Sequence, residues 1–298
     1  MQYIETHKKK PSISRKFLAG PIVAALGVIC IAMGAILAAS SETPPIATAF
    51  WRMAIAAPIC LMLALLGGAR DTLQSLQALL SARWAWVAGT AVAFTLIFWY
   101  TGQRLSSVAS TSALHNMALI LIITVGWLIT GCKPRAMTVL GVTAAFSGAA
   151  LLALHSGNLS ERAVQGDALA FAAAASVAVY YSTVTRLSDM AGAWTIMVAV
   201  SVVAAPILLV CTLAIESQLA PVSAAGWGKV IMLAIFSQVL GHACLAHAAR
   251  RLGAVGVSSA ALAEPAVAAL LAMALLAAPI AALQILGIML VAVGIWFS

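Results

Sequence analysis

Charge is scarce in this sequence. Only 8% of its 298 residues are Asp, Glu, Lys or Arg, while 63% are hydrophobic. A soluble domain carries about 25% charged residues. The shortage excludes an ordinary globular protein and leaves a membrane protein, in which about 20 apolar residues make one crossing. Acids are scarcer than bases, 8 against 16, and the net charge is +8. In a soluble chain that balance would suggest nucleic acid. Here the basic residues sit in short links and an N-terminal tail, so no nucleic-acid partner is expected. The five cysteines, Cys30, Cys60, Cys132, Cys211 and Cys244, form no CxxC pair. Most lie in apolar runs, where cysteine behaves as a small hydrophobe. Neither a disulfide framework nor a zinc site is expected. The chain contains no GxxxxGK[ST] motif, which excludes an ATP-driven pump within it. No metal or other cofactor is implied.

What is present is a succession of apolar runs. Residues 1–18 form a polar, basic tail with Lys8, Lys9, Lys10, Arg15 and Lys16. The run from Ala19 to Ala39 exceeds the roughly 7–15 residues of a signal-peptide core and reads as a first crossing. Gly20, Gly27 and Gly34 recur every seven residues along it, a seam that lets a second helix approach closely. Nine further runs are centred near residues 56, 94, 118, 146, 175, 204, 238, 266 and 288. Ten crossings result, joined by links too short to fold as soluble domains. With the N-terminus cytoplasmic, that side also carries Arg70, Arg83, Lys133, Arg135, Arg186, Arg250 and Arg251, against Arg104, Arg162 and Lys229 opposite. The bias places both termini inside. Trp84, Trp86, Trp194 and Trp296 then fall near the inner boundary, and Trp51 and Trp227 near the outer one.

The ninth run, RLGAVGVSSAALAEPAVAALL from Arg251 to Leu271, holds a carboxylate, Glu264, and a proline, Pro265, near its middle. Hydrocarbon disfavours the first, and the second removes a helix hydrogen bond, so the pair should face a cavity or protein. This run has a partner in RLSSVASTSALHNMA, from Arg104 to Ala118, at a shift of 147 residues. AAPI at 56–59 matches AAPI at 204–207, and Leu140-Gly141 matches Leu286-Gly287, at shifts of 148 and 146. The expected fold is an all-α polytopic membrane protein of ten transmembrane helices built as two five-helix repeats, over residues 19–155 and 164–298. Five is odd, so the second repeat is inverted. Inverted repeats place a substrate site near the midplane and open it alternately to each side.

The second half carries FSQVLGHACLAHAARRLGA, then LAEPAVAALL, then LQILGIMLVAVGI, and the first half carries PPIATAFWRMAIAAP. These segments resemble the drug/metabolite transporter superfamily, in particular its ten-helix EamA branch of exporters. VYYSTVTRL resembles the end of the sixth helix in amino-acid-exporting members similar to YddG. The resemblance implies a secondary transporter of the inner (plasma) membrane that exports small metabolites, amino acids foremost. It also departs from the family pattern. The link after the ninth helix reads LLAAPIA where a second glutamate is common, and His242 and His247 stand at usually aromatic positions.

The candidate substrate-binding residues are Phe94, Phe98, Trp99, His115, Asn116, Tyr180, Tyr181, Ser237, His242 and Glu264. Phe94, Phe98, Trp99, Tyr180 and Tyr181 would form an aromatic wall, or else face lipid or core. His115 and Asn116 lie opposite Leu262 and Ala263 in the repeat, so they are polar in one copy only. His242 either lines the cavity or bonds a neighbouring helix. His247, five residues on, points about 140° away, which argues against a two-histidine metal site. Glu264 supports a kinked helix, holds a substrate ammonium or exchanges protons, so proton coupling stays open. Arg52 lies a few residues inside the outer boundary and is expected to snorkel. With arginines near helix ends and no lysine among the candidates, phosphate-bearing substrates are disfavoured. The expected partners are a small-molecule substrate, most readily an aromatic or other neutral amino acid, and the bilayer. Drug-like cations or nucleotide sugars on the same fold are the alternative. An intramembrane enzyme is remote, because a single deep acid does not make a catalytic set; no enzyme is expected.

Overall fold

Long apolar runs become helices in lipid because no water is there to bond a free backbone N–H or C=O. The structure, a computed structural model, describes residues 13–106, 111, 114–130, 135–154, 160–276, 285, 286, 289, 290, 293 and 294. Lys8, Lys9, Lys10, Cys132, Lys133 and Trp296 lie outside the described residues. In chain order the helices are α1 (Ile13–Ala39), α2 (Pro45–Leu66), α3 (Ala69–Ser81), α4 (Arg83–Leu105), α5 (Ala118–Thr130), α6 (Ala136–Leu154), α7 (Glu161–Leu187), α8 (Ala193–Ile215) and α9 (Ala224–Leu233). A π-helical stretch, Ala234–His242, then leads into α10 (Ala243–Ala261), and α11 (Glu264–Leu276) follows. Among the described residues there is no strand, and six helical spans are long and apolar enough to cross a bilayer. The chain is the all-α polytopic membrane protein that its composition predicts.

Three local features differ from the reading of the sequence. The link between the runs centred near 56 and 94 is not open but holds α3, a helix of 13 residues with Asp71 in its first turn. It buries Leu79 completely and ties Thr72 Oγ1 to Ala64 O at 2.8 Å, while most of its other side chains stay exposed. Such one-sided burial suits a helix lying at the membrane surface. The link between the eighth and ninth crossings shrinks to Gly253, at φ 67° and ψ −178°. A side chain is strained in that left-handed region, and glycine is not. Its first-repeat counterpart, Ser106, is also extended, at φ −126° and ψ −174°.

The third difference concerns Pro265. It does not kink a continuous helix. The helix before it ends at Ala261, Leu262 and Ala263 form a turn, and α11 begins at Glu264. Proline therefore sits in a first turn, where its missing N–H costs nothing. The first repeat breaks at the matching place, with a turn at Asn116 and Met117 before α5 begins at Ala118. The fourth and ninth crossings are thus both discontinuous. The repeat also shows in α2 and α8, which carry Pro58 and Pro206 inside them.

Helices meet here through small residues, since lipid tails are as apolar as leucine and burial alone drives little association. The glycine seam of α1 lies against the eighth crossing. A Cβ on Gly27 would stand 2.9 Å from Gly241 O and 3.0 Å from Cys244 Cβ, and one on Gly34 would meet Ser237. Gly102 of α4 faces Gly166 of α7, each 2.8 Å from the other's carbonyl by the same construction. Gly27→Leu is expected to cost about 1–3 kcal/mol by overpacking. It should lower the unfolding temperature in detergent, whereas Gly228→Ala, with nothing within 4 Å, should leave it unchanged or raise it. Equal unfolding temperatures for wild type and Gly27→Leu would show that the seam is not tight.

Candidate functional site

The two helix breaks converge on one polar cluster. His115 and Asn116 stand at the first break, and Glu264 just after the second. His115, Asn116, Tyr181, Ser258 and Glu264 line a single small enclosed space. It offers about 10 Å³ to a water's centre, the scale of a single water. Trp99 of α4 stacks on His115, with centroids 5.1 Å apart and planes at 18°. Tyr180 meets Tyr181 at 5.5 Å and His242 edge-on at 5.8 Å. The cluster is nearly sealed: Tyr180 is 1% exposed and Glu264 7%.

Many of its polar atoms lack partners. Trp99 Nε1, His115 Nδ1, Asn116 Nδ2, His242 Nδ1, Ser258 Oγ, Ser259 Oγ and Glu264 Oε1 are buried with no hydrogen bond to the protein. Buried polar groups are normally bonded, and an orphan calls for an explanation. Orphans scattered over a structure suggest strain. Two further orphans, Gln103 Nε2 and Thr212 Oγ1, lie elsewhere, but most gather where two half-helices end, the place where carriers bind their solutes. Among the described residues no group of three His, Cys, Asp or Glu side chains could hold a metal ion.

Of the residues singled out from sequence, Trp99, His115, Asn116, Tyr180, Tyr181, His242 and Glu264 come together here. Three do not. Phe94 is 42% exposed on the outer surface of α4, where Phe98 stacks on it at 5.7 Å and is half-buried. The two share a helix face four residues apart, turned away from Trp99. Ser237 is buried against Gly34 of α1 and does not line the cavity of Glu264. His247 is exposed while His242 is buried, as their angular offset requires.

Arg52 is the main correction. It does not snorkel to the boundary but is 1% exposed inside the bundle. Its Nη1 donates to Tyr100 Oη at 2.8 Å, and its Nε and Nη2 donate to Gln238 Oε1 at 3.3 and 3.1 Å. Tyr100 and Gln238 were missed because they meet Arg52 from helices 48 and 186 residues away, a pairing that no local pattern shows. Gln238 lies within the π-helical stretch, a local distortion frequent at functional sites. No residue pattern announces such a stretch.

One end of the bundle is closed by reciprocal contacts between loops of the two halves. Glu216, just after α8, accepts from the Ile46 and Ala47 amides of α2 at 2.8 and 2.7 Å. Glu42, just before α2, accepts from Ser223 N at 2.8 Å and Ser223 Oγ at 2.9 Å, ahead of α9. Each carboxylate thus meets the positive end of a helix from the other half. Lys229 Nζ donates to Ser40 O, Trp51 Nε1 to Leu219 O, and Arg104 Nη2 to Ser41 O and Thr43 O. The opposite end gathers basic residues: the Arg83 and Arg186 guanidinium groups lie on Trp84 at 4.7 and 4.5 Å, and Arg250 donates to Ser188 O.

The hydrogen bonds from Ser223, the backbone one foremost, hold the Glu42 carboxyl below its usual range. A depressed carboxyl contributes stability above its unfolded pKa and loses it as pH falls through the folded one. The cap on α9 should therefore be complete at neutral pH and weaken as pH falls below the ordinary carboxylate range. Amide-exchange protection of residues 223–226, corrected for intrinsic rates, is expected to drop across that acidic window. In Glu42→Gln it should already be low at pH 7. A cap equally protected in both proteins at every pH would overturn the assignment.

A bundle of broken helices around a sealed polar centre, with one end latched, is the architecture of a carrier for small solutes. The model of the EamA-like transporter family matches residues 18–154 and again residues 164–298. The chain belongs to the EamA-like transporter family, and its two matches are the two repeats. A solved crystal structure described only as that of a protein superposes with a TM-score of 0.78 and 17% identity, covering 94% of this chain and 96% of the other. At that identity it supports the fold alone. No curated protein matches the chain significantly.

Proposed function

We propose that this protein is a secondary transporter of the inner (plasma) membrane that exports small, partly apolar metabolites by alternating access, with aromatic or other neutral amino acids first among them. The observation that supports it most is the set of orphaned polar atoms where the fourth and ninth crossings break. They offer donors and acceptors to a ligand beside the aromatic rings of Trp99, Tyr180 and Tyr181. Both termini are cytoplasmic, which puts the end bearing Arg83, Arg186 and Arg250 inside and the Glu42–Glu216 end outside. The test is release of radiolabelled amino acids from loaded proteoliposomes. Release no faster than from empty vesicles, for every amino acid tried, sinks the reading.

Glu264, the acid at the breaks, also suits a drug-like cation. Competition between amino acids and a bound fluorescent cation separates the two substrates. Coupling is read from the same vesicles: proton exchange makes flux respond to an imposed pH gradient, and unchanged flux marks facilitated diffusion.

A further inference from the structure

Arg52 is a charge without a counter-charge. A guanidinium has five N–H donors, and the oxygens it meets here, of Tyr100 and Gln238, are both neutral. Every acid of the chain except Glu5 lies among the described residues. Among those residues no carboxylate oxygen stands within 4.0 Å of it. Burying a cation in a membrane protein is costly, and neutral acceptors do not cancel its charge. Glu264 presents the mirror case. It is 7% exposed, and its Oε1 has no partner. The partners of Arg52 border the cluster: Tyr100 packs on Trp99, which stacks on His115, and Gln238 lies four residues before His242 in the π-helical stretch.

A buried guanidinium and a buried carboxyl so placed would gain most by pairing directly. Here they are held apart, Arg52 by Tyr100 and Gln238, and Glu264 by its place at the start of α11. A ligand with an anionic and a cationic group satisfies both ends at once. We propose that Arg52, steadied by Tyr100 and Gln238, takes the carboxylate of the substrate, and that Glu264 takes its ammonium group. This rests on the reading of the central cluster as the solute site and narrows the solute to a zwitterion. A phosphate dianion fits poorly, because Glu264 repels it. A simple amine or a simple acid meets one pole and leaves the other unpaired.

The test uses the purified full-length protein in nanodiscs, with thermal unfolding as the readout of binding. The probes are L-phenylalanine, its methyl ester and 3-phenylpropionate, and, as a second series, L-leucine, its methyl ester and 4-methylpentanoate. In the wild type the amino acid of at least one series should bind about tenfold or more tightly than either partner lacking one charge. In Arg52→Gln the acids lose their effect and the esters keep theirs. In Glu264→Gln the pattern reverses. The proposal is overturned if the esters bind as tightly as the amino acids, or if no carboxylate-bearing probe binds. The wild-type comparison decides the matter even where Arg52→Gln fails to fold. Arg52-dependent binding of the acids with no amino-acid flux in vesicles keeps the anionic pole and removes the amino-acid transport reading. Amino-acid flux with equal binding of the esters does the opposite.

Discussion

A covalent bridge between residues 42 and 223 is expected to stop transport. Glu42 belongs to the first repeat and Ser223 to the second, and their side chains already meet at 2.9 Å. With Glu216 on the α2 amides, they hold the halves together at one end. The enclosed space at the breaks takes about one water, so a metabolite enters or leaves only when the halves part. If access alternates, this end must separate once in every cycle. The experiment replaces Cys30, Cys60, Cys132, Cys211 and Cys244 and introduces Glu42→Cys with Ser223→Cys. A short bifunctional thiol reagent closed by disulfides then joins the pair. Flux should fall about tenfold or more on bridging and return on reduction. Single-cysteine proteins treated alike should transport at their untreated rates. A bridged carrier that works at full speed would show that this end need not open.

That closed end was only half legible in the sequence. The charge bias and the tryptophans identified which residues share a side, and Trp51 and Trp227 do meet edge-on at 4.8 Å. The glycine period of α1 was fully legible, because a seven-residue spacing fixes a helix face whatever lies opposite. The paired breaks were visible as a repeat but not as breaks: Glu264-Pro265 read as a kink, whereas proline opens a new helix. Glu216 gave no signal, since a carboxylate that caps a helix 170 residues away looks like any loop acid. Arg52 misled for a related reason. Distance from a boundary in sequence predicts snorkelling, and only the positions of Tyr100 and Gln238 on other helices show that the guanidinium turns inward. Phe94 and Phe98 lie outside the central cluster because a helix has two faces, and composition does not say which of them meets the bundle centre.

The Arg52–Gln238 pair allows structure and transport to be separated by a double-mutant cycle. Gln238→Leu removes the acceptor of two of the three guanidinium hydrogen bonds and leaves the charge in place. Hydrogen bonds to charged groups contribute about 1.5–3 kcal/mol each, and losing them here leaves an uncompensated buried cation. Gln238→Leu should therefore be among the most destabilising single changes in the protein. Adding Arg52→Met removes the charge as well, and an apolar pair of similar volume should recover much of the loss. The coupling between the two changes should exceed about 1 kcal/mol, well beyond the additivity of independent sites. Thermal unfolding in a common detergent measures it; additive shifts would mean that Gln238 does not support Arg52. Transport then distinguishes a strut from a binding pole. If the guanidinium only braces α2 against the eighth crossing, the restabilised double variant transports as the wild type does. If it takes the substrate carboxylate, the double variant folds, unfolds near the wild-type temperature and still fails to move amino acids, because the substrate carboxylate has lost its cation.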